Sequence, residues 1–150
     1  MEFEYVATCL FGLEKMLGEE IDALGYKRTM TMDGRVAFLG DALAAARANI
    51  NLRCAERVYI RLGTFRATSF EELYEGTHKL PWENFIGKTD AFPVKGHAIK
   101  SKLFSVPDCQ SIVKKAIVNR LAKKYGESWF SESGVKYQVE FIYSRTRHRL

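Results

Sequence analysis

Asp33-Gly34 sits between two alternating runs, Lys27 to Met32 and Arg35 to Leu39. A two-residue Asp-Gly link between such runs is a strong β-hairpin signal, because glycine readily takes the positive φ that a tight turn needs. The hairpin constrains what flanks it. Upstream, Glu4 to Leu10 reads as a strand through Tyr5, Val6, Cys9 and Leu10. Gly12 then opens a helix on which Leu13, Met16, Leu17, Ile21 and Leu24 recur at helical spacing, and Gly25 ends it. Downstream, Asp41 caps an alanine-rich helix reaching about Asn51. The order strand–helix–strand–strand–helix lacks one strand. RVYIRLGTFRA (57–67) supplies it, with Val58, Ile60, Leu62 and Phe65 set against Arg57, Arg61 and Arg66. This is the order of a ferredoxin-like split βαβ unit, with the sheet order left open.

Ser69 followed by Glu72 is a capping-box signal for a helix whose inner face would carry Phe70, Leu73, Tyr74 and His78. Pro81-Trp82 breaks that helix, and Trp82, Phe85 and Ile86 are expected to plug the edge of a core. Asp90 to Ser101 reads as the next strand. Ser105 with Asp108, and Pro107 in the first turn, start a helix expected to reach Tyr125 and stop at Gly126. Tyr137 to Tyr143 alternates as a last strand.

Charge is uneven along the chain. Residues 1–75 hold 9 Lys+Arg and 12 Asp+Glu, whereas residues 76–150 hold 14 and 6. A basic second half suits an acidic partner such as a phosphate backbone. The three cysteines, Cys9, Cys54 and Cys109, have no CxxC spacing and read as free thiols of a reducing cytoplasm. The acidic start MEFEY is unlike a signal peptide, and no apolar run approaches the roughly 20 residues of a membrane span. His78, His97 and His148 form no metal-binding pattern with the cysteines. There is no GxGxxG turn, Walker loop or local triad motif, so no catalytic centre and no cofactor site is read from these residues.

The basic charge concentrates in AFPVKGHAIKSKLFSVPDCQSIVKKAIVNRLAKKY (91–125). Cys109, Ile112, Val113, Ala116, Ile117 and Leu121 make one apolar side of its helix, while Ser111, Lys115 and Asn119 recur every four residues on another. Lys100 and Lys102 precede the helix N-terminus, whose free amides favour an anion. The candidate RNA-binding residues are Lys95, Lys100, Lys102, Lys114 and Lys115 for phosphate, with Ser105, Gln110 and Ser111 as hydrogen-bonding groups. Gly96 marks either tight packing or a close approach of backbone to a ligand. Arg120 lies near the apolar side and is expected to snorkel at the helix end. The plain alternative is an amphipathic helix with solvated lysines. A rival reading is an interaction or scaffold domain that uses Trp82, Phe85, Trp129 and Phe130 as exposed apolar contacts.

Three stretches, ATCLFGLEKMLGEEIDALGY (7–26), NLRCAERVYIRLGTFRATSFEELYEGTHKLPWENFI (51–86) and KSKLFSVPDCQSIVKKAIVNRL (100–121), resemble the N-terminal region of bacterial large-subunit rRNA guanine-N2 methyltransferases. The resemblance reaches about Tyr143, and FSVPDCQSIVKKAI is its most specific part. It implies an α/β (α+β) chain: a ferredoxin-like subdomain followed by a THUMP-type α/β domain with a mixed sheet. The first would cover residues 1–56 and could share the strand 57–67. The second would cover 57–143, leaving a basic tail, 144–150, expected to be disordered. The resemblance further implies an RNA-binding module that positions structured RNA, large-subunit rRNA foremost, in the cytoplasm. Its S-adenosylmethionine would belong to a C-terminal methyltransferase domain whose glycine-rich loop and Asn/Asp-Pro-Pro-aromatic motif are absent from these residues. The ending SRTRHRL departs from the family pattern, and Arg145, Arg147 and Arg149 could touch RNA.

Overall fold

The computed structural model describes residues 1–99 and 105–144. The chain divides into two compact units, Met1–Thr64 and Phe65–Leu150. The first contains β1 (Phe3–Thr8), α1 (Glu14–Ala23), β2 (Lys27–Met32), β3 (Arg35–Gly40), α2 (Ala42–Asn51) and β4 (Arg57–Arg61). Its sheet runs β2-β3-β1-β4, with every neighbouring pair antiparallel. The Asp33-Gly34 hairpin forms as expected, with Gly34 at φ +73°.

Alternation sends Tyr5 and Ala7 of β1, and Val36 and Phe38 of β3, to the helix-covered face. There they meet Leu17 and Ile21 of α1 and Ala44 and Ala48 of α2. Each large side chain buried this way contributes about 1.5–3 kcal/mol. Tyr5 stacks on Phe38 at 5.4 Å between centroids, and its hydroxyl donates to the Asp41 carbonyl at 2.8 Å. The Asp41 side chain accepts from the Ala44 amide at 3.0 Å, which is the cap read from the sequence. β4 stops at Arg61 and does not reach residue 67, because Arg61 pairs with Glu4 and β1 has almost run out as a partner.

The second unit contains α3 (Phe70–His78), a single 3-10 turn (Trp82–Asn84), β5 (Val94–Ile99), α4 (Val106–Tyr125) and β6 (Val139–Ser144). β5 and β6 pair in parallel from Val94↔Val139 to Ile99↔Ser144, and α4 is the crossover that a parallel pair needs. β5 begins at Val94, later than Asp90, since Pro93 has no amide to donate. Ala91 still forms an isolated parallel bridge with Lys136. Cys109, Val113, Ala116, Ile117 and Leu121 of α4 are buried, as their spacing requires, together with Leu73 of α3. Phe70, expected inside, is 40% exposed, and the buried position on that face falls to Thr77, four residues after Leu73. Trp82 plugs this core, its indole N–H donating to the Thr77 carbonyl at 2.7 Å, with Ile86 and Phe92 buried nearby in sequence. Gly126 ends α4 at φ +71°.

The two capping signals have different outcomes. Ser69 accepts from the Glu72 amide at 3.2 Å, and the Glu72 carboxylate takes the Thr68 amide at 2.5 Å. Ser105 occupies the N-cap of α4 but makes no side-chain cap hydrogen bond, so the expected box with Asp108 does not form. No helix among the described residues is long and apolar enough to cross a membrane.

Candidate nucleic-acid interface

The β5–α4 βαβ unit brings several of the candidate residues together. Lys95 is exposed on β5, and Ser105, Ser111 and Lys115 are exposed on α4 and its cap. Pro93, Val94, Gln110, Ser111 and Lys114 line an open concavity of about 260 Å³. Gln110 donates from its side-chain amide to the Val94 carbonyl at 3.3 Å, tying the helix to the strand. Ser111 donates back to the Pro107 carbonyl at 3.1 Å, which leaves its oxygen lone pairs as acceptors. Lys100 and Lys102 lie outside the described residues, as does the tail segment 145–150.

The structure holds Lys114 within its own fold. Its ammonium donates to the Phe92 carbonyl at 3.0 Å, stands 3.6 Å from the centroid of the Phe92 ring and pairs with the Glu132 carboxylate. No local signal could have shown this, because Phe92 and Glu132 lie 22 and 18 residues away. Lys115, one residue on, points to a different side. It borders a second open concavity of about 300 Å³ with Phe70, Glu71, Tyr74, Glu75 and Ile112. Neither Lys95 nor Lys115 has an ion-pair partner among the described residues. Asn119, on the same side as Lys115, donates to the Tyr74 hydroxyl at 2.6 Å. Tyr74 stacks with His78 at 5.8 Å between centroids.

Other sequence expectations fall to structural roles. Arg120 makes a two-pronged contact with Glu83, at 2.6 and 3.0 Å. The guanidinium's hydrogen bonds hold the Glu83 carboxyl down to about 2. His97 lies 3.7 Å from the Glu140 carboxylate. Of the residues offered as exposed contacts for an interaction domain, Trp82 is buried at 6% and Phe85 and Phe130 are half-buried. Trp129 is the exposed one, at 76%. Cys9, Cys54 and Cys109 are free thiols; burial pushes the Cys9 and Cys109 thiols up from their usual range.

No group of three His, Cys, Asp or Glu among the described residues could hold a metal ion. At the β1–α1 turn the Gly12 and Gly34 amides donate to the Glu14 carboxylate at 2.9 and 2.7 Å. That turn is closed by an acid of the chain itself and does not fit the anionic end of a cofactor. The β5–α4 region therefore offers exposed cations and hydrogen-bonding groups, a set suited to holding a polyanion.

Comparison with known proteins places both units. Residues 4–59 match the RlmL ferredoxin-like domain and residues 67–144 match the THUMP domain. The chain is 43% identical over 141 residues to the Bacillus subtilis (strain 168) protein named "Putative RNA methyltransferase YpsC", covering 93% of this chain and 36% of that protein. It is 35% identical over 94 residues to Ribosomal RNA large subunit methyltransferase K/L of Cellvibrio japonicus (strain Ueda107), covering 63% of this chain and 12% of that protein. Among solved structures, one from Listeria monocytogenes described as a "predicted N6-adenine-specific DNA methylase" superposes with a TM-score of 0.90 at 47% identity, over 95% of this chain and 38% of that one. SMU.472, solved in complex with SAH, superposes with a TM-score of 0.88 at 38% identity, over 95% of this chain and 38% of that one. The chain thus spans little more than a third of the length of the Bacillus relative. With both of its units matched and THUMP covering the larger share, the chain belongs to the THUMP-domain family, in the arrangement of an RlmL-type ferredoxin-like domain followed by THUMP.

Proposed function

We propose that this chain is an RNA-binding module that positions structured RNA for an S-adenosylmethionine-dependent guanine-N2 methyltransferase domain, with large-subunit rRNA as the substrate class and the cytoplasm as the compartment. The single observation carrying the reading is that the THUMP match spans β5 and α4, where the Lys95 and Lys115 ammonium groups make no ion pair among the described residues. The names of the relatives supply the substrate class.

In this reading Lys95, Lys100, Lys102 and Lys115 neutralise phosphates, and Ser105, Gln110 and Ser111 hydrogen-bond sugar or phosphate oxygens. Lys114 acts one step back, holding α4 to the Phe92 carbonyl behind β5. The module performs no bond chemistry. It raises the rate by fixing the target base near the transfer site, a positional effect.

The test is binding of the purified chain to structured large-subunit rRNA fragments across a salt series, with matched DNA and tRNA as competitors. Micromolar binding that weakens steeply with salt and prefers the rRNA fragments is expected. Lys95→Glu with Lys115→Glu should lower the affinity and reduce the salt slope by about 1.4–1.8, the share of two phosphate contacts. Unchanged binding in the folded double variant would remove this region from the interface.

A further inference from the structure

Trp129 is the aromatic residue that the second unit leaves most open among its described residues, at 76% exposed. A tryptophan is on average largely buried, as Trp82 of the same unit is. The Trp129 indole makes no hydrogen bond, ring contact or cation–π contact among the described residues.

The segment that carries it is pinned on both sides. Before it, Glu127 pairs with Lys88 at 2.6 Å. After it, the Phe130 ring meets Phe92 edge-on at 6.3 Å between centroids, and the Glu132 carboxylate pairs with Lys114. The Gly134 amide then donates to the Thr89 carbonyl at 2.7 Å. Glu132 takes φ +48°, an uncommon conformation for a residue other than glycine and one that these contacts hold in place. Glu127 and Glu132 are the acids of residues 126–134, and both are paired, so the segment turns no unpaired carboxylate toward a polyanion.

The same anchors set its position. Lys114 lines the open concavity of about 260 Å³ together with Pro93, Val94, Gln110 and Ser111. Its ammonium stands 3.6 Å from the centroid of the Phe92 ring, the ring on which Phe130 packs. Trp129 is the next residue, about 3.8 Å along the backbone from Phe130.

We propose that Trp129 is a stacking platform for one unpaired base of a bound RNA, beside the β5–α4 surface. This rests on the reading of that surface as an RNA site and narrows the substrate class to a helix interrupted by an unpaired nucleotide. An unpaired base can leave its own stack and lie on an indole, whatever its identity. The pinned segment holds the ring ready, so little ordering is needed on binding.

The test uses the full chain and two labelled RNA hairpins, one with a single bulged nucleotide and one fully paired, read by fluorescence anisotropy across a salt series. The unaltered chain is expected to bind the bulged hairpin about fivefold or more tightly than the paired one. Trp129→Ala should remove that preference, leave the paired hairpin within about twofold and leave the salt slope unchanged, because stacking releases no counterions. Trp129→Phe keeps a ring and should keep most of the preference. In the unaltered chain the bulged hairpin should quench tryptophan emission; Trp129→Phe, which retains only the buried Trp82, should bind without that quenching. Lys95→Glu with Lys115→Glu should weaken both hairpins alike and leave the preference intact. Equal binding of the two hairpins by the unaltered chain, or an undiminished preference in a folded Trp129→Ala variant, would overturn the proposal while leaving the β5–α4 reading standing. Self-association that Trp129→Ala abolishes without changing the preference would give the indole to a second copy of the chain instead. Binding of neither hairpin at low salt would remove the RNA reading and this inference together.

Discussion

Phe141 on β6 is the registered partner of Gly96 on β5, and its ring fills the space that a β-carbon at position 96 would need. The glycine therefore serves packing between two parallel strands. Gly96→Ala should destabilise the second unit by about 1–3 kcal/mol through overpacking. Phe141→Leu, by shortening the ring, should recover part of that loss in the double variant. Thermal unfolding of the four proteins checks the coupling; additive effects would show that the two positions do not meet.

Acid should weaken the contact between Glu83 and Arg120. The Glu83 carboxyl is held at about 2 in the fold, below its ordinary 4.5. A depressed folded value means the stabilisation is complete above about pH 4.5 and is lost as the pH falls toward 2. Glu83→Gln should cost about 1–2 kcal/mol at neutral pH and should flatten the acid limb of the stability curve between those values. Melting curves from pH 2 to 7 for both proteins measure it.

Lys114 and Lys115 are neighbours in sequence with different expected phenotypes. Lys114→Ala removes the contact with Phe92 and the pair with Glu132, so it should lower stability by about 1–2 kcal/mol. Lys115→Glu should leave the melting temperature nearly unchanged and reduce the salt slope of RNA binding by about 0.7–0.9. Measuring both quantities on both variants separates the roles, and an equal loss of salt slope from each would return Lys114 to the RNA surface.

Ser69 and Ser105 carry similar sequence signals, yet only Ser69 forms its cap. Ser69→Ala should therefore cost about 1 kcal/mol, and Ser105→Ala less than about 0.5 kcal/mol. Urea denaturation of the two single variants gives the comparison directly.

Where structure is legible in the sequence, the cause is local or periodic. Gly34 turns the hairpin, Asp41 caps α2, Gly126 closes α4, and the spacing Cys109, Val113, Ala116, Ile117, Leu121 forces one face of α4 inward. Strand ends were less legible, because a strand stops where its partner stops: β4 ends at Arg61 since β1 offers little beyond Glu4. The candidate interface was legible as a concentration of charge, but which cations remain available was not. Lys114 is withdrawn by Phe92 and Glu132, neither of which is near it in the chain.

Turn chemistry, capping and hydrophobic period act over a few residues, so the order of elements, the buried side of α4 and the basic character of the second half are legible in the sequence, whereas Phe70 of α3 and Met16 of α1, both at apolar-face spacing, are exposed. The tertiary structure alone decided the β2-β3-β1-β4 order and the parallel β5–β6 pair. Only the fold could give Gly96 to packing and Lys114 to Phe92. These outcomes depend on pairings between residues distant in the chain, and side chains compete for such partners only once the fold has brought them within a few ångströms.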